Sequence, residues 1–189
     1  MTSCTSASVS TNGLTANTAN LDERLLVLLR TCGHTPGGER AVARFSRLGE
    51  HGAVWLAIGA AGGALDGRRR PAWRRAAAAV GAAYLTNAAL KLIVARRRPA
   101  LAGLPPLTGT PTGLSFPSAH ASTSFAGALA YSGLGLPAAP LYALAGGLAL
   151  SRLYLGVHYP SDALAGALLG TAVAACVTAA GRGRRDLAR

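Results

Sequence analysis

The sequence predicts an all-α membrane protein: a polytopic helical bundle of about five transmembrane helices, preceded by one or two short interfacial helices. Three observations carry this. Half of the 189 residues are apolar, glycine is abundant and aromatics are few, as in membrane helices that pack through small side chains. The apolar residues form runs near the ~20 residues needed to cross a hydrocarbon core, and two of these runs lack a polar face to meet water. The net charge of +12 gathers at the ends of the runs, where basic membrane flanks lie. A chain of this length builds one domain.

Residues 1–20 are rich in Ser, Thr, Asn and Ala, without a basic start or an apolar h-region. They predict a disordered tail rather than a cleavable signal peptide. The domain proper, residues 21–181, opens with Leu25, Leu26, Leu28 and Leu29 among Asp22, Glu23, Arg24 and Arg30. This stretch is too short to span and reads as an interfacial or packed amphipathic helix. A second short helix is expected over residues 39–48, where Val42, Phe45 and Leu48 oppose Arg40, Arg44 and Arg47.

Longer apolar runs then cover residues 52–65, 76–94, 118–136, 141–155 and 163–180. Between them lie a loop with Arg68, Arg69, Arg70, Arg74 and Arg75, an irregular stretch with Pro99, Pro105, Pro106, Pro111 and Pro117, and a break at Pro137 and Pro140. Residues 182–189 read as a basic cytoplasmic tail. With the arginine loop on the cytoplasmic side, counting spans puts the segments around residues 95–117 and His158 outside and the tail inside. The tail's four arginines agree with that count. The expected location is the plasma membrane, multi-pass. Arg96, Arg97 and Arg98 break the rule on the outer side and invite a functional explanation.

Several classes drop out. The cations flank apolar runs instead of lining a polar helix face, which speaks against nucleic acid as a partner. Cys4, Cys32 and Cys176 are odd in number and widely spaced, so neither a disulfide framework nor a zinc site is expected.

The polar residues inside the apolar region form three groups. Lys91 is the one lysine in the chain and lies seven residues before Arg98. A helix carried on to Pro99 would put both on nearly the same face, where an anion between them relieves their repulsion. Ser115 to His120 precede an apolar run, so Pro117 fits a first helical turn whose free N–H groups, with the Ser118 hydroxyl, form an anion cradle beside His120. Ser118 also reads as a plain helix cap, and His120 as a buried structural histidine. In the third group Pro160 fits the first turn of the last helix, so that Asp162, near the third position, turns back toward His158. A carboxylate there holds the imidazole in one tautomer and frees its other nitrogen as base or nucleophile. Asp162 is the one acidic residue between residues 76 and 181.

These groups resemble the signatures of the type 2 phosphatidic acid phosphatase superfamily. Lysine, six residues and Arg-Pro are met by Lys91 to Pro99. Pro-Ser-Gly-His appears as Pro117, Ser118, Ala119 and His120, with alanine in place of glycine. Ser-Arg, five residues, His, three residues and Asp are met by Ser151, Arg152, His158 and Asp162. The resemblance implies that His158 attacks phosphorus and forms a phosphohistidine, that Asp162 orients it, and that His120 protonates the leaving oxygen and then activates water. Lys91, Arg98, Arg152, Ser118 and the Ala119 N–H would hold the phosphate oxygens. No metal or other cofactor is expected, since three cations fill that electrostatic role.

The implied partners are the bilayer and a lipid phosphate or pyrophosphate substrate, polyprenyl or glycerolipid, met on the extracytoplasmic side. A bias to arginine and alanine suggests a high-GC bacterium such as an actinobacterium, which makes decaprenylphosphoryl phosphoribose a candidate substrate. The apolar spans disfavour the soluble haloperoxidases of the superfamily. The complete residue set disfavours an inactive scaffold or transporter.

Overall fold

The computed structural model describes residues 14–186, which are helical apart from turns, loops and isolated bridges. In chain order they form α1 (Leu14–Thr31), α2 (Pro36–Arg47), a 3-10 turn (Glu50–Gly52), α3 (Ala53–Leu65), a second 3-10 turn (Gly67–Arg69), α4 (Arg70–Val94), α5 (Ala119–Ser132), α6 (Ala138–Tyr154) and α7 (Pro160–Asp186). Residues 1–13 of the expected tail lie outside the described residues. The rest of it is helical, because α1 starts at Leu14. At the other end α7 runs into the expected basic tail as far as Asp186.

Local chemistry sets the boundaries. The Thr35 hydroxyl accepts the Gly38 N–H at 3.1 Å with Pro36 at the first helical position, starting α2. The expected five-arginine loop is mostly helix. Asp66 accepts the Arg69 N–H at 3.2 Å and Arg69 Nε at 2.6 Å, which tightens the turn, and Arg70, Arg74 and Arg75 fall within α4. Pro140, expected in the break between the third and fourth runs, is already helical. It sits in the first turn of α6, where its missing N–H has no helical partner to lose.

α5 is the central helix and packs against α4, α6 and α7. It runs alongside α7 at very short range. A Cβ on Gly166 would lie 2.5 Å from the Ser118 carbonyl oxygen, and one on Gly170 would lie 2.0 Å from that of Ser122. This pair of glycines four residues apart lets two backbones touch, as small residues do between membrane helices. Tyr131 stacks on Trp55 and Trp73 in the core, its hydroxyl donating to the Trp55 carbonyl at 2.7 Å.

Large apolar side chains cover the outside. Leu85, Leu92 and Ile93 of α4, Leu150 of α6, and Leu164 and Leu168 of α7 are each more than half exposed, a surface suited to lipid. The helices spanning Gly67–Val94 and Pro160–Ala180 are long and apolar enough to cross a membrane. At 13, 14 and 17 residues, α3, α5 and α6 are shorter.

Candidate active site

Every candidate residue comes from one end of the bundle, where α4 and α6 finish and α5 and α7 begin. Lys91, Arg98, Ala119, His120, Arg152 and His158 line one cavity of about 510 Å³ there. Ser118 and Asp162 are buried behind it.

Lys91 and Arg98 reach the cavity by a different route from the one expected. Ala95 adopts a left-handed conformation, φ 50°, and its N–H closes on the Lys91 carbonyl at 3.0 Å, which ends α4 before Arg98. The two cations therefore do not share a helix face. Residues 96–98 instead pair antiparallel with 113–115: Arg98 N–H donates to Gly113 at 3.1 Å and Ser115 N–H to Arg96 at 2.8 Å. This pairing fastens the Arg-Pro segment to the segment leading into α5. Lys91 completes the joint, its ammonium donating to the carbonyls of Leu114, Ser115 and Pro117 at 3.3, 3.2 and 2.9 Å. Asn87 donates to the same Pro117 carbonyl at 3.1 Å.

Pro117 lies just outside α5 rather than in its first turn, and Ser118 is the N-cap. It is no ordinary cap: the buried Ser118 hydroxyl bonds to no protein group. An unpaired buried hydroxyl is costly unless something polar comes to meet it. Beside it, the N–H groups of the first turn of α5 have no partner within the helix. Ala119 lines the cavity at the position where the resembling family has glycine.

His158 lies between α6 and α7 and is 3% exposed. Arg98 Nη1 donates to its Nε2 at 3.2 Å and to the Val157 carbonyl at 2.7 Å. Nε2 is then the lone-pair nitrogen, and the proton belongs on Nδ1, which faces Asp162 Oδ2 at 3.5 Å. The same oxygen accepts the Tyr159 N–H at 2.8 Å, a carboxylate in the first turn of α7 reaching back to the helix start as expected. Burial pushes the His158 imidazole down to about 4; Asp162 works against this, while Arg98 and Lys91 add to it. The ring is neutral at physiological pH.

His120 and Arg152 are held by a residue that the sequence did not single out. Ser46, buried at the end of α2, accepts Arg152 Nη1 on its hydroxyl at 2.8 Å, while its carbonyl lies 3.0 Å from His120 Nε2. That contact leaves His120 Nδ1 for proton exchange. Asp162 has a further unforeseen partner. Its Oδ1 accepts Arg96 Nη1 at 3.1 Å, and Arg96 Nη2 bonds Asp22 of α1 at 2.9 Å.

A neutral imidazole whose lone pair is met by a guanidinium, a second imidazole, a further guanidinium and an ammonium on one cavity, with an unpaired hydroxyl buried behind it, suit transfer of a phosphoryl group. The family model of the PAP2 superfamily matches residues 72–186, which include all of these side chains. The chain belongs to the PAP2 superfamily. Two relatives carry the name decaprenylphosphoryl-5-phosphoribose phosphatase. That of Mycobacterium tuberculosis is 41% identical over 152 residues, 78% of this chain and 84% of its own. That of Mycolicibacterium smegmatis is 41% identical over 132 residues, 69% and 72% of the two chains. Among solved structures, Aquifex aeolicus LpxE superposes with a TM-score of 0.71 at 26% identity, covering 84% of this chain and 94% of its own. A transmembrane PAP2-type phosphatidylglycerolphosphate phosphatase from Bacillus subtilis shares the fold, with a TM-score of 0.70 at 22% identity, covering 88% and 87%. This PAP2 protein is an enzyme, a membrane lipid phosphatase.

Proposed function

We propose that this phosphatase removes the terminal phosphate of a polyprenyl-linked phosphosugar, decaprenylphosphoryl-5-phosphoribose, through a phosphohistidine on His158 and without a metal. The observation that carries the chemistry is the single cavity shared by His158, His120 and the cations. Identity of 41% with relatives named for that activity supports the substrate.

The His158 Nε2 lone pair attacks phosphorus as Arg98 moves from that nitrogen to a phosphate oxygen. The bond from phosphorus to the sugar oxygen breaks, and His120, entering the step as an imidazolium with its second proton on Nδ1, gives that proton to the departing alkoxide and becomes neutral. Arg98, Arg152, the Ser118 hydroxyl and the Ala119 N–H receive the nonbridging oxygens. Lys91 adds its charge while holding the loop that presents Ser118. His120 then takes a proton from water, whose oxygen attacks phosphorus and breaks the P–N bond. Inorganic phosphate and neutral His158 result. Asp162 stabilises the positive ring in between.

The remaining cavity wall fits a sugar better than a plain phosphate. Glu50 and His51 line it, with Thr110 and Thr112. A carboxylate opposes an anion but accepts well from the hydroxyls of a neutral pentose. His51 holds a positive φ of 52°, uncommon for a residue other than glycine. Tyr84, Ala88 and Leu92 line the same cavity at four-residue spacing on α4, an apolar stripe suited to the first prenyl units.

In the proposed topology α3 to α7 are five spans, α1 and α2 lie at the outer surface, and the site faces away from the cytoplasm of the plasma membrane. Arg68 to Arg75 lie at the bundle end opposite His158, which supports that orientation. Release of inorganic phosphate from a panel of polyprenyl, phosphoribosyl and glycerolipid phosphates, in EDTA, tests the reading. Preference for the phosphoribosyl lipid is expected. Preference for a glycerolipid would overturn the substrate, and loss of activity in EDTA would overturn the metal-free mechanism.

A further inference from the structure

Asp22 lies on α1, outside the stretch the superfamily model matches and outside all three motifs. It is nonetheless one side chain removed from the carboxylate that serves His158. Its Oδ2 bonds Arg96 Nη2 at 2.9 Å, and Arg96 Nη1 bonds Asp162 Oδ1 at 3.1 Å. Ser161, in the first turn of α7, closes the ring. Its N–H donates to Asp22 Oδ1 at 2.9 Å, its hydroxyl donates to Asp22 Oδ2, and Arg96 Nη1 donates to that hydroxyl at 2.7 Å. The Arg96 guanidinium also lies over the Tyr159 ring, 4.0 Å from its centre.

The charges make this more than a tether. Asp162 is fully buried, and a guanidinium bonded to it cancels the field with which it would steady a positive imidazole. Asp22 restores the balance. With it the group Asp22, Arg96 and Asp162 carries one net negative charge; without it the group is neutral.

We infer that Asp22 is a positioning residue for catalysis, which counterbalances Arg96 so that Asp162 keeps its negative field on His158 as the ring becomes cationic. The inference rests on the reading of His158 as nucleophile. α1 has other anchors, since Leu26 is fully buried and Arg30 donates to the Pro105 and Tyr154 carbonyls at 2.7 and 3.3 Å. Removing the Asp22 charge therefore leaves the helix docked.

The experiment compares kcat and KM of the full chain in detergent, with decaprenylphosphoryl-5-phosphoribose and with p-nitrophenyl phosphate as probes. Asp22→Asn is expected to lower kcat roughly ten- to fifty-fold, the effect of one charge across a few ångströms of protein, with KM changed less than about two-fold. Ser161→Ala loosens the contact without altering charge and is expected to keep kcat within about three-fold. Adding Arg96→Gln to Asp22→Asn restores one net negative charge, so the double variant should be faster than Asp22→Asn alone. Wild-type kcat in Asp22→Asn overturns the inference. So does a double variant slower than the single one, or an Asp22→Asn protein that no longer unfolds cooperatively, because each marks a purely structural contact. His158→Ala separates the two ideas. If it is inactive while Asp22→Asn is unimpaired, only the positioning role falls; if it retains activity, the nucleophile reading falls with it.

Discussion

Arg98 Nη1 stands 3.2 Å from His158 Nε2, so in the proposed mechanism the attacking nitrogen is covered by a cation until a phosphate takes that cation away. The contact fixes the ring tautomer. It also places the guanidinium beside the atom where phosphorus must arrive. Two carbonyls, Val157 at 2.7 Å and Thr112 at 2.8 Å, keep Arg98 from swinging clear.

Arg98→Ala should lower kcat/KM by about 100- to 1,000-fold, the usual effect of removing one donor to a developing oxyanion. Arg98→Lys should recover only a small part, because an ammonium lacks the fork that meets phosphate and ring together. Steady-state phosphate release measures both.

Lys91 should behave differently. Its ammonium joins α4 to three carbonyls at the start of the Ser118 segment. Lys91→Ala strips a charged donor from them and is expected to cost about 2 kcal/mol or more of stability as well as activity. A lower thermal midpoint in detergent, alongside lost turnover, checks this. An inactive variant as stable as the wild type would assign Lys91 to phosphate alone.

The motif residues were legible because their spacing survives in one dimension. His158 and Asp162 meet across the first turn of α7, and Pro160 announces that turn. Other relationships were hidden by distance along the chain. Ser46 meets His120 and Arg152, and Asp22 meets Arg96, only after α1 and α2 fold onto the bundle end; nothing in a serine or aspartate of an amphipathic helix signals such a partner. The shared face expected of Lys91 and Arg98 failed at Ala95, whose left-handed turn has no glycine to mark it. The same limit applied at the start of α1, where a Ser- and Thr-rich composition suited a tail yet α1 begins at Leu14.

His158 also predicts how stability depends on pH. Its folded value of about 4 lies below the usual 6.5, so between these values the unfolded chain binds more protons. Stability is therefore lost as pH falls from 6.5 toward 4, by up to roughly 3 kcal/mol from this group. Thermal unfolding in detergent across that window should show a flatter slope for His158→Asn than for the wild type.

Glu50→Gln should leave hydrolysis of a simple polyprenyl phosphate unchanged and raise KM for the phosphoribosyl lipid by about ten-fold, the worth of a hydrogen bond to a charged acceptor. Equal effects on both lipids would remove Glu50 from sugar recognition.

The covalent intermediate is the centre of the account and can be trapped directly. Full-length protein carrying His120→Ala keeps the nucleophile but lacks the group that activates water, so a leaving group needing no proton should load the enzyme and stall it. Rapid quenching into alkali with 32P-labelled p-nitrophenyl phosphate, followed by peptide mapping, should find acid-labile, alkali-stable phosphate on His158. Label on another residue, or none in either wild type or variant while nitrophenol is still released, would contradict the phosphohistidine mechanism.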